Sequence, residues 1–158
     1  MSAALAVVAV LAALVTAAPA NAAPQASRLT LDAVAAKDAP RGAVELSSAG
    51  GGILTTCVLD PGTPVRRGSQ VVADAKVTCG GQVFSIDLGV LLVYKGKPVG
   101  DGTQGTSGSP TSGFGLSDIE NCRNGMWQSY AIGIVVFLNG TPPAIAREAL
   151  GPQVNITC

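Results

Sequence analysis

The sequence contains no histidine, 4% aromatic residues and 13% charged residues. Without histidine there is no Ser-His-Asp triad, no Cys-His dyad and no imidazole metal ligand. Ten Lys+Arg balance ten Asp+Glu, so the formal net charge is zero. A neutral chain with no basic tract lacks the electrostatic footprint of a nucleic-acid binder. The calcium loop D-x-D-x-D-G, the nucleophile elbow G-x-S-x-G and the S-x-x-K motif are all missing. The four cysteines are widely spaced, with no C-x-x-C pair, which argues against a zinc cluster or a dithiol redox centre. These absences lead us to expect no cofactor, no metal, no nucleic-acid partner and no catalysis.

What is present is apolar. Hydrophobic residues make up 47% of the 158 residues, too many for a disordered chain and enough for one small domain. Met1 to Ala18 carry no charge and are nearly all Ala, Val and Leu. Pro19 follows, then Ala20-Asn21-Ala22, which reads as an apolar core, a breaker and a small-residue cleavage site. Residues 1–22 are therefore expected to be a cleaved signal peptide, and 23–41 an N-terminal arm. Residues 42–158 form the folded domain. No later tract is apolar enough to span a bilayer, so no membrane contact is expected once the signal is removed.

An exported chain with an even number of cysteines points to disulfides between Cys57, Cys79, Cys122 and Cys158. Four cysteines allow three connectivities. Periodicity favours Cys57–Cys79 and Cys122–Cys158, because Cys57, Cys79 and Cys158 fall on the apolar phase of alternating segments, where a buried bridge could form. Each such bridge contributes about 3 to 4 kcal/mol in the chain-entropy picture.

Alternation is the dominant pattern. Val71, Ala73, Ala75, Val77 and Cys79 share one face of a strand, with Asp74, Lys76 and Thr78 opposite. Phe84, Ile86, Leu88, Val90, Leu92 and Tyr94 share another. Gln128 to Leu138 puts Tyr130, Ile132, Ile134, Val136 and Leu138 on a continuous apolar face. The opposite face holds Ser129, Ala131, Gly133, Val135 and Phe137. Turn signals such as Asp60-Pro61-Gly62, Lys95-Gly96 and Asn139-Gly140 separate the runs. The expected fold is all-β, an antiparallel, immunoglobulin-like β-sandwich of about 6–8 strands with two disulfides. The Gly/Ser/Thr-rich stretch 100–115 reads as a long loop. Short helical turns are expected over Thr30 to Lys37 and Pro143 to Leu150.

Candidate ligand residues are the scarce aromatics Trp127, Tyr130 and Phe114. Trp127 and Tyr130 have opposite parity and must point to opposite faces of one strand. Trp127 shares its face with Ser129, Ala131 and Gly133, which leaves room for a ligand groove or a close-packed second sheet. Phe114 could be carried by the 100–115 loop as a lid. Among the acids, Asp74 and Asp87 lie on outward strand faces and could oppose each other on neighbouring strands, and Asp118 and Glu120 could aim at one cation, but solvated charge or a polar loop is the favoured reading of each pair. Arg66-Arg67 and Lys95-Gly96-Lys97 read as solvated charge in turns.

The run Cys122 to Phe137, the turn Gly140-Thr141-Pro142-Pro143 and the ending Val154-Asn155-Ile156-Thr157-Cys158 resemble small exported actinobacterial proteins with two disulfides. The resemblance implies export and an all-β fold, and it implies no particular activity. Chromoprotein apoproteins share this composition, but their bridges close shorter loops. Subtilisin-inhibitor proteins share size and cysteine count, but no comparable reactive-site segment stands beside a cysteine here. The expected function is a secreted, non-catalytic protein acting by binding a small molecule or extracellular protein, or as a structural component. The alternatives are a protease inhibitor presenting 100–115 and a hydrolase using Asp or Glu. Intact-mass spectrometry of protein from culture supernatant should give a chain starting at Ala23 and lacking two pairs of thiol hydrogens. An uncleaved signal or free thiols would refute this reading.

Overall fold

The computed structural model describes residues 38–158. The expected signal peptide, residues 23–37 of the arm and the helical turn over Thr30 to Lys37 lie outside the described residues. Ten strands are present among those described: β1 (Val44–Gly50), β2 (Ile53–Asp60), β3 (Val65–Arg67), β4 (Gln70–Val83), β5 (Ser85–Tyr94), β6 (Lys97–Thr106), β7 (Thr111–Asn121), β8 (Gly125–Val136), β9 (Ala144–Leu150) and β10 (Val154–Ile156). They form two antiparallel five-stranded sheets. One runs β1-β2-β4-β3 with β7 also on β4, and the other runs β10-β8-β5-β6 with β9 also on β8. This is the expected sandwich, with more strands than anticipated.

The extra strands come from two corrections. Residues 100–115 are not a loop: most belong to β6 and β7. Glycine has little strand preference, so the ladder makes the decision. The long strands β5 and β4 present open edges, and β6 and β7 pair with them from Tyr94↔Lys97 and from Gln70↔Asn121 onward. Likewise, Ala144–Leu150 is a strand rather than a helical turn. Its Ala, Arg and Glu favour helix locally, but it pairs residue by residue with Val136 to Tyr130 of β8.

The core lies between the sheets and follows the expected parity except at Phe84, which falls in the break between β4 and β5 and is exposed while Val83 is buried. Val71, Ala73, Ala75 and Val77 of β4 face Ile86, Leu88, Val90 and Leu92 of β5, all within one buried cluster. On β8 the face rich in small residues turns inward, with Trp127, Ala131 and Val135 in the same cluster. Gly133 leaves space there for side chains from the opposite sheet. A Cβ at that position would lie 3.2 Å from Val77 Cγ2 and 3.4 Å from Leu59 Cδ1. The other face of β8 contributes Tyr130 to a second cluster with Leu91, Val93 and Leu150, against which Ala39 packs. Residues beside it are held by the hydrogen bonds Gly42 N–H to Leu150 O and Leu150 N–H to Pro40 O, both 2.8 Å.

Both disulfides have the expected pairing. Cys57 and Cys79 are direct register partners on β2 and β4, and both are buried. The second bridge corrects one expectation: Cys158 lies beyond β10 and is exposed. Its strand phase ends at Ile156, so this bridge fastens the periphery of the sandwich instead of its core. Two disulfides suit an oxidising environment.

Polar stitches close the two seams between the sheets. At one seam the Ser48 hydroxyl donates to Pro142 O at 2.7 Å, and Thr141 N–H donates to Ala49 O at 2.9 Å. At the other, Asp118 on β7 is only 5% exposed, and its Oδ2 accepts the Leu92 N–H of β5 at 2.8 Å. That N–H lies where the β5–β6 register shifts between Val90 and Leu92. Burial raises the Asp118 pKa above its usual 3.8, against the opposing pull of the Leu92 and Ile119 N–H groups and the Thr103 hydroxyl.

The folded state therefore holds the Asp118 proton more tightly than the unfolded chain does. This contribution to stability is full below the usual carboxylate pKa and is lost as pH rises through the raised folded value. Urea unfolding at mildly acidic and neutral pH should show this component in the native protein and lose it in Asp118→Asn. Asp118→Ala leaves the Leu92 N–H without its acceptor and should cost about 1 to 3 kcal/mol at neutral pH. Identical pH profiles for the native protein and Asp118→Asn would refute the assignment.

Candidate functional site: a cation-rimmed aromatic depression

The sequence-predicted ligand residues do not form one site. Trp127 is fully buried between the sheets, Tyr130 is fully buried in the second cluster, and Phe114 is half-buried on β7 against the main core. Phe114 is thus a packed strand residue rather than part of a lid; a Cβ on Gly105 of β6 would lie 3.3 Å from its ring. The acids stay apart as well. Asp74 is on β4, taking up Arg67 at 2.7 Å and the Ser117 hydroxyl, while Asp87 is on β5 in the other sheet and accepts the Thr106 hydroxyl. Asp118 is committed to the seam. No group of three or more Asp, Glu or Cys capable of holding a metal occurs among the described residues.

A surface depression of about 380 Å³ does open beside the buried Trp127. It is lined by Tyr94, Lys95, Lys97, Pro98, Val99 and Arg123. Its aromatic wall is Tyr94, which pairs with Trp127 across β5 and β8 with ring centroids 4.9 Å apart at 47°. Trp127 is thus the support beneath the site, and Tyr94 is the ring that faces it.

The wall is held by its own hydrogen bonds. The Trp127 indole N–H donates to Arg123 O at 2.8 Å, and the Tyr94 hydroxyl donates to Asn124 O at 2.9 Å. Asn124 Oδ1 accepts the Cys158 N–H, and Cys158 is bridged to Cys122. Cys122 N–H in turn donates to Ser69 O at 2.9 Å. The segment carrying Arg123 is therefore tied to the core ring pair, to the second disulfide and to the β3–β4 turn. Such preorganisation lowers the ordering cost of binding.

Charge converges on this wall. Lys95 Nζ lies 5.1 Å and Arg123 Cζ 5.3 Å from the Tyr94 ring centroid, within cation–π range. Lys97 lines the same depression. The ion pairs among the described residues are Arg67–Asp74 and Lys76–Asp60, so none of these three cations is paired with a carboxylate. Lys95 also has a positive φ of 51°, followed by Gly96 at 74°. This is the type I′ pattern of a two-residue hairpin, whose first position favours Asn, Asp or Gly. A lysine there tolerates a left-handed backbone and brings its ammonium to the tyrosine.

The sequence carried part of this signal. Lys95-Gly96 between alternating runs marks a hairpin, but only the pairing Tyr94↔Trp127 brings Arg123 to the same ring. No protein-family model matches the chain, and comparison with curated proteins finds no relative.

Substituting Lys95→Asn should relieve the hairpin backbone and the like-charge crowding together. The expected gain is about 1 kcal/mol of unfolding free energy, measured by chemical denaturation. A loss of stability would mean that Lys95 supports the fold rather than the depression.

Proposed function

We propose that this is a secreted, non-catalytic binding protein. Its site is the depression at Tyr94, and its ligand is a small molecule that joins an anionic group to an apolar body. The observation that carries this reading is three cations lining one depression, two of them over its supported aromatic ring, with no ion pair to a carboxylate among the described residues. Like charges held together raise the local positive potential, and an anion relieves it. Tyr94 and Val99 supply apolar contact for the remainder of the ligand.

The signal-like N-terminus, the two disulfides and the resemblance to exported actinobacterial proteins all support secretion. The inhibitor alternative has less support, because residues 100–115 lie mainly in paired strands and not in a presented loop. The hydrolase alternative has less support too, since Asp74, Asp87 and Asp118 each have a separate structural partner.

Trp127 is the single tryptophan and touches the ring that lines the site, so its emission reports occupancy. Titration with phenyl phosphate and benzoate should shift that emission, whereas benzylamine and benzyl alcohol should not. Lys95→Gln with Arg123→Gln should weaken the anionic probes at least tenfold while leaving the fold intact by circular dichroism. Equal response to benzylamine and phenyl phosphate, or none to either anion, would overturn the proposal.

A further inference from the structure

The charged residues of this sandwich are confined to part of its length. No Asp, Glu, Lys or Arg occurs between Leu46 and Leu59, between Val77 and Ile86, between Gly102 and Ser117, or between Gln128 and Ala146. The registers bring these four segments to one end. Gly50↔Ile53 closes the β1–β2 hairpin, Val83↔Thr111 joins β4 to β7, and Ser85↔Val136 and Val136↔Ala144 join β5, β8 and β9. The Ala49↔Thr141 bridge ties the first hairpin to the β8–β9 connection. The Lys95–Gly96 hairpin and Arg123 lie at the opposite end, where Tyr94 pairs with Trp127.

Large apolar side chains project from the charge-free end. Ile53 is 70% exposed, Leu54 66%, Phe84 52% and Leu138 49%. Ile53 and Leu138 line one small hollow with Thr55, Gln82 and Asn139. Phe84 is anchored beside it by its N–H bond to Val136 O at 2.8 Å. The polar residues around this tip are Ser, Thr, Asn and Gln, which bring hydrogen-bonding groups without charge.

We propose that this end docks on a lipid surface, with Ile53, Leu54, Phe84 and Leu138 entering the boundary between headgroups and acyl chains. The chemistry of the tip separates a lipid partner from a protein one. Protein interfaces keep charged and polar rims around an apolar centre, whereas acyl chains penalise any charge that enters them. Here charge is missing across four separate connections, not merely at the centre of a patch. Lys95, Lys97 and Arg123 sit at the far end and no charge reaches the tip itself, so the contact needs no anionic headgroup and is apolar in origin. This contact requires no membrane-spanning segment; no helix among the described residues is long and apolar enough to be one. It differs from the expectation of no membrane contact, which considered spanning alone. It is independent of the anion site.

Co-sedimentation of the mature protein with phosphatidylcholine vesicles, at low and high salt, tests the proposal. Partitioning should be measurable and insensitive to salt. Phe84→Asp and, separately, Ile53→Asp should each reduce it at least tenfold. Ile119→Asp, at an apolar residue 51% exposed on β7 away from this end, should leave it unchanged. Because Phe84, Ile53 and Ile119 are exposed, retained circular dichroism should accompany all three substitutions. Three results would overturn the proposal. One is no sedimentation. Another is sedimentation abolished by salt or by Lys95→Gln with Arg123→Gln, which would assign binding to the basic end. The third is self-association abolished by Phe84→Asp without vesicle binding, which would make a second copy the occupant.

Discussion

The close approach of the two sheets along β8 is the constraint on which the rest of the structure depends. Gly133 lets Val77 and Leu59 reach across from the opposite sheet. Ala73, Ala75 and Ala131 add small side chains to the buried layer around it, alongside larger ones such as Leu59, Ile86, Leu88 and Phe137. The Trp127 and Tyr94 ring pair lies toward the Lys95 hairpin. Dense packing of small β-branched and Ala side chains works only if both sheets hold their register, because a one-residue slip would turn each apolar face to solvent. The Cys57–Cys79 bridge between register partners opposes that slip in one sheet.

Closing the sandwich at its seams needed polar chemistry. Strand edges leave unpaired N–H and C=O groups, and burying them unsatisfied is costly. Ser48 and Asp118 meet this demand at opposite seams, and Ser129 adds a bond to Gly62 O at 2.7 Å. Asp118 is the least expected of the three. A carboxylate is an expensive group to bury, yet it accepts a backbone N–H left over by a ladder irregularity. The cost is partly offset locally by hydrogen bonds, so this acid has a structural role, and the cation site that its spacing from Glu120 suggested has no geometric support.

The two ends of the molecule have different chemistry because the hairpins at each end differ. At one end, a lysine-bearing hairpin and a disulfide-tethered segment gather cations around Tyr94. At the other, glycine-rich connections carry apolar side chains and no charge. A rigid sandwich keeps these ends apart, so anion capture at the first and lipid contact at the second could operate on one molecule without competing for surface.

Much of this was legible in the residues. Alternation along 70–79 and 86–94 set which side chains face the core, with Phe84 thrown outward by the break between β4 and β5, and cysteine phase pointed to Cys57–Cys79. Opposite parity of Trp127 and Tyr130 sent them to separate clusters, as expected from strand geometry alone. What could not be read locally was every choice made by a neighbouring strand. Glycine-rich 100–115 and helix-prone 144–150 became strands because β4, β5 and β8 offered unpaired edges. Both faces of β8 are apolar enough to be core, and the packing of the opposite sheet against Trp127, Ala131, Gly133 and Val135 decided which turned inward. Lys95 and Lys97 share a hairpin that the sequence marks, but Arg123 is distant and joins them only because β5 and β8 pair. The sequence by itself determined period, parity and the supply of cysteines, since these depend on covalent order and side-chain type. The tertiary structure alone decided strand partners, seams and sites, since these depend on which backbone edges and surfaces are left for others to satisfy.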